Sequence, residues 1–421
     1  MKKFMIIWIG ELISGIGSGM TAFALSIYVF EMTGSVSSVS VIVLAVFLPT
    51  ILLSPLGGVL ADRYDRRMLM LIGDLFSGLG VVYILWNIHI GINSIVPIII
   101  GVTFNGIFVA LLEPSFKATI TDLLPKEDYT KASGMIQIAT NSRYLISPVL
   151  AGMLLTIYDI RLILILDICT FFVTVITISL VRKSIAKPLK KENRGMLIEI
   201  KEGFAILKSH TGIRTLVILM SAVCFFIGFV QNLAIPMILA VSNAKILGFL
   251  ESACAMGMLV GSVIIGIFGI KNKYVRCLSL AGMSASIFMA MTGMSAYLYI
   301  TGIGMFLFFT SLPFINASAD VLVRNNVENE IQGRVWGIIS LLSQAGTAIA
   351  YALSGVMADY IFEPFLLKDG FLAKSVGSII GVGQGRGIGF MLIISGIGML
   401  IATFLIGKNK NILELEVNCS N

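Results

Sequence analysis

Long apolar tracts separated by short polar breaks run from Phe4 almost to the end of the chain. A helix needs roughly 20 mostly apolar residues to cross a bilayer. Tracts of that length predict helices near residues 4–30, 36–60, 68–88, 94–113, 132–158, 161–181, 215–240, 246–269, 277–296, 299–320, 335–358 and 387–406. These are too long, and too continuously apolar, for barrel strands, which alternate polarity over about ten residues. The first tract is also too long for a secretory signal and is expected to stay in the chain. The predicted class is an all-α membrane protein with twelve transmembrane helices.

Composition agrees: the 421 residues are 57% hydrophobic and only 13% charged, with mean hydropathy +0.97. That excludes a soluble globular domain, whose surface needs about twice that share of charge. An even number of spans puts both termini on one side, and the basic residues say which. With both ends cytoplasmic, inner segments hold 24 of the 30 lysines and arginines, the excess that the positive-inside rule expects. The net charge of +7 therefore faces anionic lipid headgroups, and no nucleic-acid partner is expected.

The longest inner segment, Arg182–Arg214, holds nine basic residues and divides the spans six and six. Three regions follow: an N-terminal six-helix bundle over 1–181, a cytoplasmic linker over 182–214 and a C-terminal six-helix bundle over 215–421. Within the linker, Leu197, Ile200, Phe204 and Leu207 share one face of a helix expected to lie in the membrane interface. An offset of 203 residues aligns Gly134 with Gly337 and Gly152 with Gly355, laying the fifth span over the eleventh. Two pseudo-symmetric bundles are the signature of a duplicated unit.

The densest charge cluster is Gly57-Gly-Val-Leu-Ala-Asp-Arg-Tyr-Asp-Arg-Arg67, between the second and third spans. Its glycines allow close helix approach, Asp62 can face a helix N-terminus, and Arg63, Arg66 and Arg67 hold the turn inside. The spacing Gly58-x3-Asp62-Arg63-x2-Arg66-Arg67 resembles the loop 2–3 signature of the major facilitator superfamily, with Asp65 where that signature usually has a second glycine. Ser147-Pro148-Val-Leu-Ala151-Gly152 resembles the Gly-Pro-x2-Gly-Gly signature of the superfamily's antiporters, two of whose glycines are Ser147 and Ala151 here. The stretch Glu113 to Gly134 is similar to the corresponding loop of macrolide exporters. The loop 8–9 counterpart, Gly266 to Lys273, has lost its acid.

The resemblance implies a secondary transporter of the drug-efflux branch, with substrate bound near the midplane between two halves that rock about it. It implies a monomer in a bacterial cell membrane that moves a hydrophobic or amphipathic small molecule against protons. Uptake or flipping of a nutrient or lipid by the same fold, and a polytopic receptor or scaffold, are the alternatives. A receptor or scaffold would have no need of Asp62-Arg63 at the turn or of acids within the membrane.

Charges inside apolar helices cost about 3 kcal/mol or more and mark function. Five stand out: Glu11, Asp74, Arg143, Asp167 and Glu251. Glu11 shares a polar stripe with Ser14, Gly15, Ser18, Thr21 and Ala22 at helical spacing. Counting about 1.5 Å per residue puts Glu11 roughly 10 Å and Arg143 roughly 16 Å above the inner surface, with Asp167 nearer the outside. Glu11 is thereby expected to carry the coupling proton with Arg143 as its partner, and Asp74, Asp167 and Glu251 are the alternative acids.

No enzyme chemistry or cofactor is expected. His89 and His210 are the only histidines, five scattered cysteines suggest neither a disulfide framework nor a metal site, and no Walker motif occurs. Gly381-Val-Gly-Gln-Gly-Arg-Gly387 has glycine-loop spacing but no preceding strand, and reads as a flexible lead into the last helix.

Overall fold

The computed structural model describes residues 2–124, 128–181, 210–270, 273–295, 297–327 and 332–417. All regular structure among them is helical. The elements are α1 (Lys2–Thr33), α2 (Val36–Arg63), α3 (Arg66–His89), α4 (Ile95–Leu123), α5 (Tyr129–Leu145), α6 (Ser147–Leu154), α7 (Ile160–Val181), α8 (Thr211–Leu239), α9 (Ala244–Phe268), α10 (Tyr274–Met294), α11 (Leu298–Asn326) and α12 (Gln332–Met357). A π-helical segment (Ala358–Phe362) leads into α13 (Glu363–Leu366), followed by α14 (Gly377–Ile380), α15 (Arg386–Lys408) and α16 (Lys410–Val417).

Eleven of these helices are long and apolar enough to cross a membrane. The expected fifth span is present but broken into α5 and α6 at Ile146. Pro148 explains the break, because it has no N–H for the carbonyl four residues back and its ring crowds that carbonyl. α5 is also the most polar of the long helices, carrying Lys131, Gln137, Asn141 and Arg143. With α5 and α6 taken as one span, the twelve-helix fold stands.

The chain forms two compact units, one of residues 1–192 with 242–252, the other of residues 193–241 with 253–421. α9 therefore starts in the first unit and ends in the second. In the first unit α3 and α2 pack on α4, and α1 packs on α7, α5 and α6. Small residues make these seams close: a Cβ on Gly101 would fall 2.8 Å from the Gly80 carbonyl oxygen, and one on Gly57 would strike the Ala110 carbonyl. In lipid such dispersion contacts replace the hydrophobic drive that folds soluble bundles. In the second unit α10 packs on α11 and α15, and α8 on α12. There the Asn232 side-chain amide donates to Ser354 Oγ at 2.7 Å, and the Tyr351 hydroxyl donates to Gln231 Oε1 at 2.8 Å.

Three departures from the sequence reading concern segments outside the spans. α4 continues through Pro114 to Leu123, so much of the expected inner loop after residue 113 is helix. The short helix α16, not anticipated, docks by Asn326 Nδ2 donating to Leu415 O at 2.9 Å and Val275 N donating to Glu416 Oε1 at 2.9 Å. The glycine-rich lead into α15 is a built cap: Glu363 accepts from the backbone N–H groups of Gly385 (3.2 Å) and Ile388 (3.0 Å), and Arg386 donates to Ile380 O at 3.1 Å. Its glycines are needed for the turn, since Gly381, Gly383 and Gly385 have φ of 93°, 117° and 80°. The expected interfacial helix of the linker lies outside the described residues.

Candidate transport site in the first unit

Ile7 of α1 and Met70 of α3 belong to one buried cluster with Phe116, Ile178 and Val181. One helical turn further along each of the first two helices come Glu11 and Asp74. These acids thus stand just above an apolar floor, which separates them from the Lys2 end of the unit. Asp74 is 2% exposed, and its Oδ2, like Glu11 Oε1, is buried without a hydrogen-bond partner among the described residues. Glu11 and Asp167 both act electrostatically on Asp74.

A second level lies further along α1. Asp167 of α7 is 1% exposed and accepts from the Ser18 hydroxyl at 3.2 Å. A Cβ on Gly17 would lie 3.0 Å from its Oδ1. Arg143 of α5 reaches the same level, because a Cβ on Gly19 would meet its Cγ at 2.9 Å. Arg143 and Asp167 therefore meet α1 at adjacent positions, Gly19 and Gly17.

Depth counting gave Arg143 to Glu11; the Arg143 Cγ lies beside Gly19. Glu11 precedes Gly19 by eight residues, roughly 12 Å along the helix, while Ser18 and Gly17 are its immediate neighbours. α1 has 32 residues, and Asp167 meets it at its midpoint. Asp74, one of the alternative acids, is grouped with Glu11 and Asp167.

The broken fifth span borders this level. Ser147 Oγ donates to Ile16 O of α1 at 2.9 Å. On its other side, a Cβ on Gly152 would fall 2.6 Å from the Ala244 carbonyl oxygen, and one on Gly248 would strike the Pro148 carbonyl. Ser252 Oγ donates to Leu145 O at 2.6 Å. Ser147, Pro148 and Gly152 thus wedge α6 between α1 and the first turns of α9. Glu251 is the residue before Ser252 on α9.

At the loop that carries the superfamily-like signature, α2 ends at Arg63 and Asp65 caps α3, its carboxylate accepting from Arg67 N at 3.1 Å. The same carboxylate lies 3.8 Å from Arg67 Nε. Asp65 thus does helix-capping work that a glycine there could not do. The side chains of Asp62 and Arg63, and the surroundings of Gly58, lie outside the described residues. Arg66 is half-buried and Arg67 buried. Sequence reasoning missed the paired polar residues of the second unit, Gln231 with Tyr351 and Asn232 with Ser354; an adjacent Gln-Asn inside an apolar tract was the available signal.

The profile of the Major Facilitator Superfamily matches residues 7–362. The chain belongs to this superfamily. It is a membrane transporter, and solved members share its fold: a bacterial homologue of the human lysosomal transporter Spinster superposes with a TM-score of 0.74 at 12% identity, covering 98% of each chain. A nucleoside transporter superposes at 0.72 and 12% identity, over 97% of this chain and 100% of its own. Among curated relatives, macrolide efflux protein A of Streptococcus pyogenes is 28% identical over 377 residues, 85% of this chain and 90% of its own. The protein of the same name from Enterococcus faecalis is 27% identical over 318 residues, 71% of this chain and 94% of its own.

Proposed function

We propose that the transporter exports hydrophobic or amphipathic small molecules in exchange for protons, working as a monomer in a bacterial cell membrane with both termini in the cytoplasm. The observation that carries the reading is the two-level arrangement of buried charge in the first unit. Asp167 with Arg143 forms the upper level and Glu11 with Asp74 the lower. A carboxylate buried without a partner is costly in its charged form, whereas a proton neutralises it. Two neighbouring carboxyls with one unpartnered oxygen each are therefore suited to take up and release a proton. Asp167, already bonded by Ser18, is suited to bind a proton transiently and release it, passing it between the outside and the lower pair. The likeness to macrolide efflux proteins supports export as the direction and an amphipathic compound as the cargo. In this reading Arg66, Arg67, Asp62, Arg63 and Gly58 form the conformational switch, and Ser147, Pro148 and Gly152 form the seal that keeps protons from leaking.

The test is transport in everted vesicles with Glu11→Gln. The expected outcome is loss of protonophore-sensitive accumulation with downhill exchange of substrate preserved. A Glu11→Gln protein that still concentrates substrate in a protonophore-sensitive way overturns Glu11 as the coupling group. Wild-type accumulation that ignores a protonophore overturns proton coupling altogether.

A further inference from the structure

In the second unit a cleft of about 630 Å³ opens between the end of α9, the first half of α10 and the middle of α11. Its size lies within the roughly 300–1,000 Å³ of small-molecule sites. One face of α10 lines it, at the three- and four-residue spacing that stacks side chains along a helix: Lys273, Arg276, Cys277, Leu280, Ala281 and Ser284. The face changes character along its length. Two exposed cations stand at the mouth, apolar side chains follow, and the Ser284 hydroxyl at the far end faces Ser311 Oγ at 3.3 Å. Beside the mouth, Ile267 and Phe268 of α9 are 71% and 70% exposed.

The charge at the mouth is one-sided. Gly266 to Lys273 contains no acid, and neither Lys273 nor Arg276 makes an ion pair among the described residues. Glu416, the acid that reaches this helix end, is engaged with the backbone N–H of Val275. The length is informative too. Lys273 to Ser284 spans eleven residues, about 16 Å of helix rise, which is half of a hydrocarbon core about 30 Å thick. The cleft is thus about as long as one leaflet is deep.

We propose that this cleft binds one anionic phospholipid, its phosphate held between Lys273 and Arg276 and one acyl chain laid along Cys277, Leu280 and Ala281 toward Ser284. Basic pockets between membrane helices recognise such headgroups because the cation is only partly hydrated at the interface. Phosphatidylglycerol meets the requirement and phosphatidylcholine, which is zwitterionic, does not. This inference is independent of proton coupling and of the cargo.

The experiment uses the full chain in nanodiscs of phosphatidylcholine with and without phosphatidylglycerol. Cys277 lines the cleft, so the rate of its alkylation by a membrane-permeant maleimide, read on its peptide by mass spectrometry, reports occupancy. Phosphatidylglycerol is expected to slow that rate, and native mass spectrometry is expected to find it retained about 10- to 30-fold over phosphatidylcholine. Lys273→Gln with Arg276→Gln should abolish both effects. Ala281→Phe, which fills the cleft and leaves both cations, should also abolish retention, and it serves if the double variant does not fold. Retention that survives both variants, or a Cys277 rate indifferent to phosphatidylglycerol, overturns the proposal. Loss with the double variant but not with Ala281→Phe reduces it to attraction at the surface, and equal protection by inorganic phosphate removes the lipid from it.

Discussion

Removing the charge of Asp167 tests the architecture of the buried site most directly. Asp167 is 1% exposed, its carboxylate receives the Ser18 hydroxyl and it faces Arg143. Asp167→Asn keeps the shape and the ability to accept from Ser18, but it leaves the guanidinium of Arg143 uncompensated. Breaking a buried pair by deleting one partner costs about 3–5 kcal/mol; Arg143 is only half-buried, so the lower end, about 3 kcal/mol, applies. Position then distinguishes the two acids. At an effective dielectric of about 20, attraction is about 1.4 kcal/mol at the roughly 12 Å that separates Glu11 from the level of Gly19, and larger at the shorter reach between Arg143 and Asp167. A double-mutant cycle on thermal melting should give a coupling of about 2 kcal/mol or more for Asp167→Asn with Arg143→Gln, and no more than about 1.4 kcal/mol for Glu11→Gln with Arg143→Gln. A larger coupling for the Glu11 cycle would refute the assignment of Arg143 to Asp167 and restore the partner expected from depth alone.

Two further outcomes bear on the switch and the seal. Asp62→Asn is expected to insert and accumulate normally yet to slow transport at least tenfold, measured as initial rate in vesicles; transport at the parental rate rejects the switch reading of the loop. Gly152→Leu adds a side chain where a Cβ already falls 2.6 Å from the Ala244 carbonyl oxygen, so overpacking of about 1–3 kcal/mol should lower the melting temperature and either block export or make vesicles leak protons. Unchanged melting and transport would mean that α6 does not pack as closely as its glycine requires.

The spans and the buried acids were legible in the sequence for a simple reason: both follow from the bilayer as solvent. Twenty apolar residues in a row have few other uses, and a carboxyl in their midst is conspicuous because it is expensive. Glu11, Asp74, Arg143 and Asp167 were all found this way. Who faces whom was not legible, because a one-dimensional depth count knows neither the offset between helices nor the reach of a side chain. Arg143 illustrates the point. Arg143 and Asp167 meet α1 at Gly17, Ser18 and Gly19, of which the sequence marked only Ser18, as a member of the polar stripe that starts at Glu11. The cap formed by Glu363 on α15 was hidden likewise: it joins residues 22 and 25 positions apart, across a segment whose glycines signal a turn without saying what the turn closes on.

Asp65 shows the opposite case, in which a departure from a family's pattern has a local meaning. A glycine at that position would leave the first turn of α3 without a side-chain acceptor, whereas the Asp65 carboxylate takes Arg67 N. Helix capping of this kind contributes about 1 kcal/mol, and the anion at the helix N-terminus adds a few tenths more. The same carboxylate also lies beside the Arg67 side chain, so it fixes one arginine of the loop while leaving Arg66, on the next face of the helix, to other contacts. An acid here therefore stiffens the α2–α3 turn on the α3 side. Whatever Asp62 and Arg63 do in the transport cycle, they do it against an α3 whose first turn is already held.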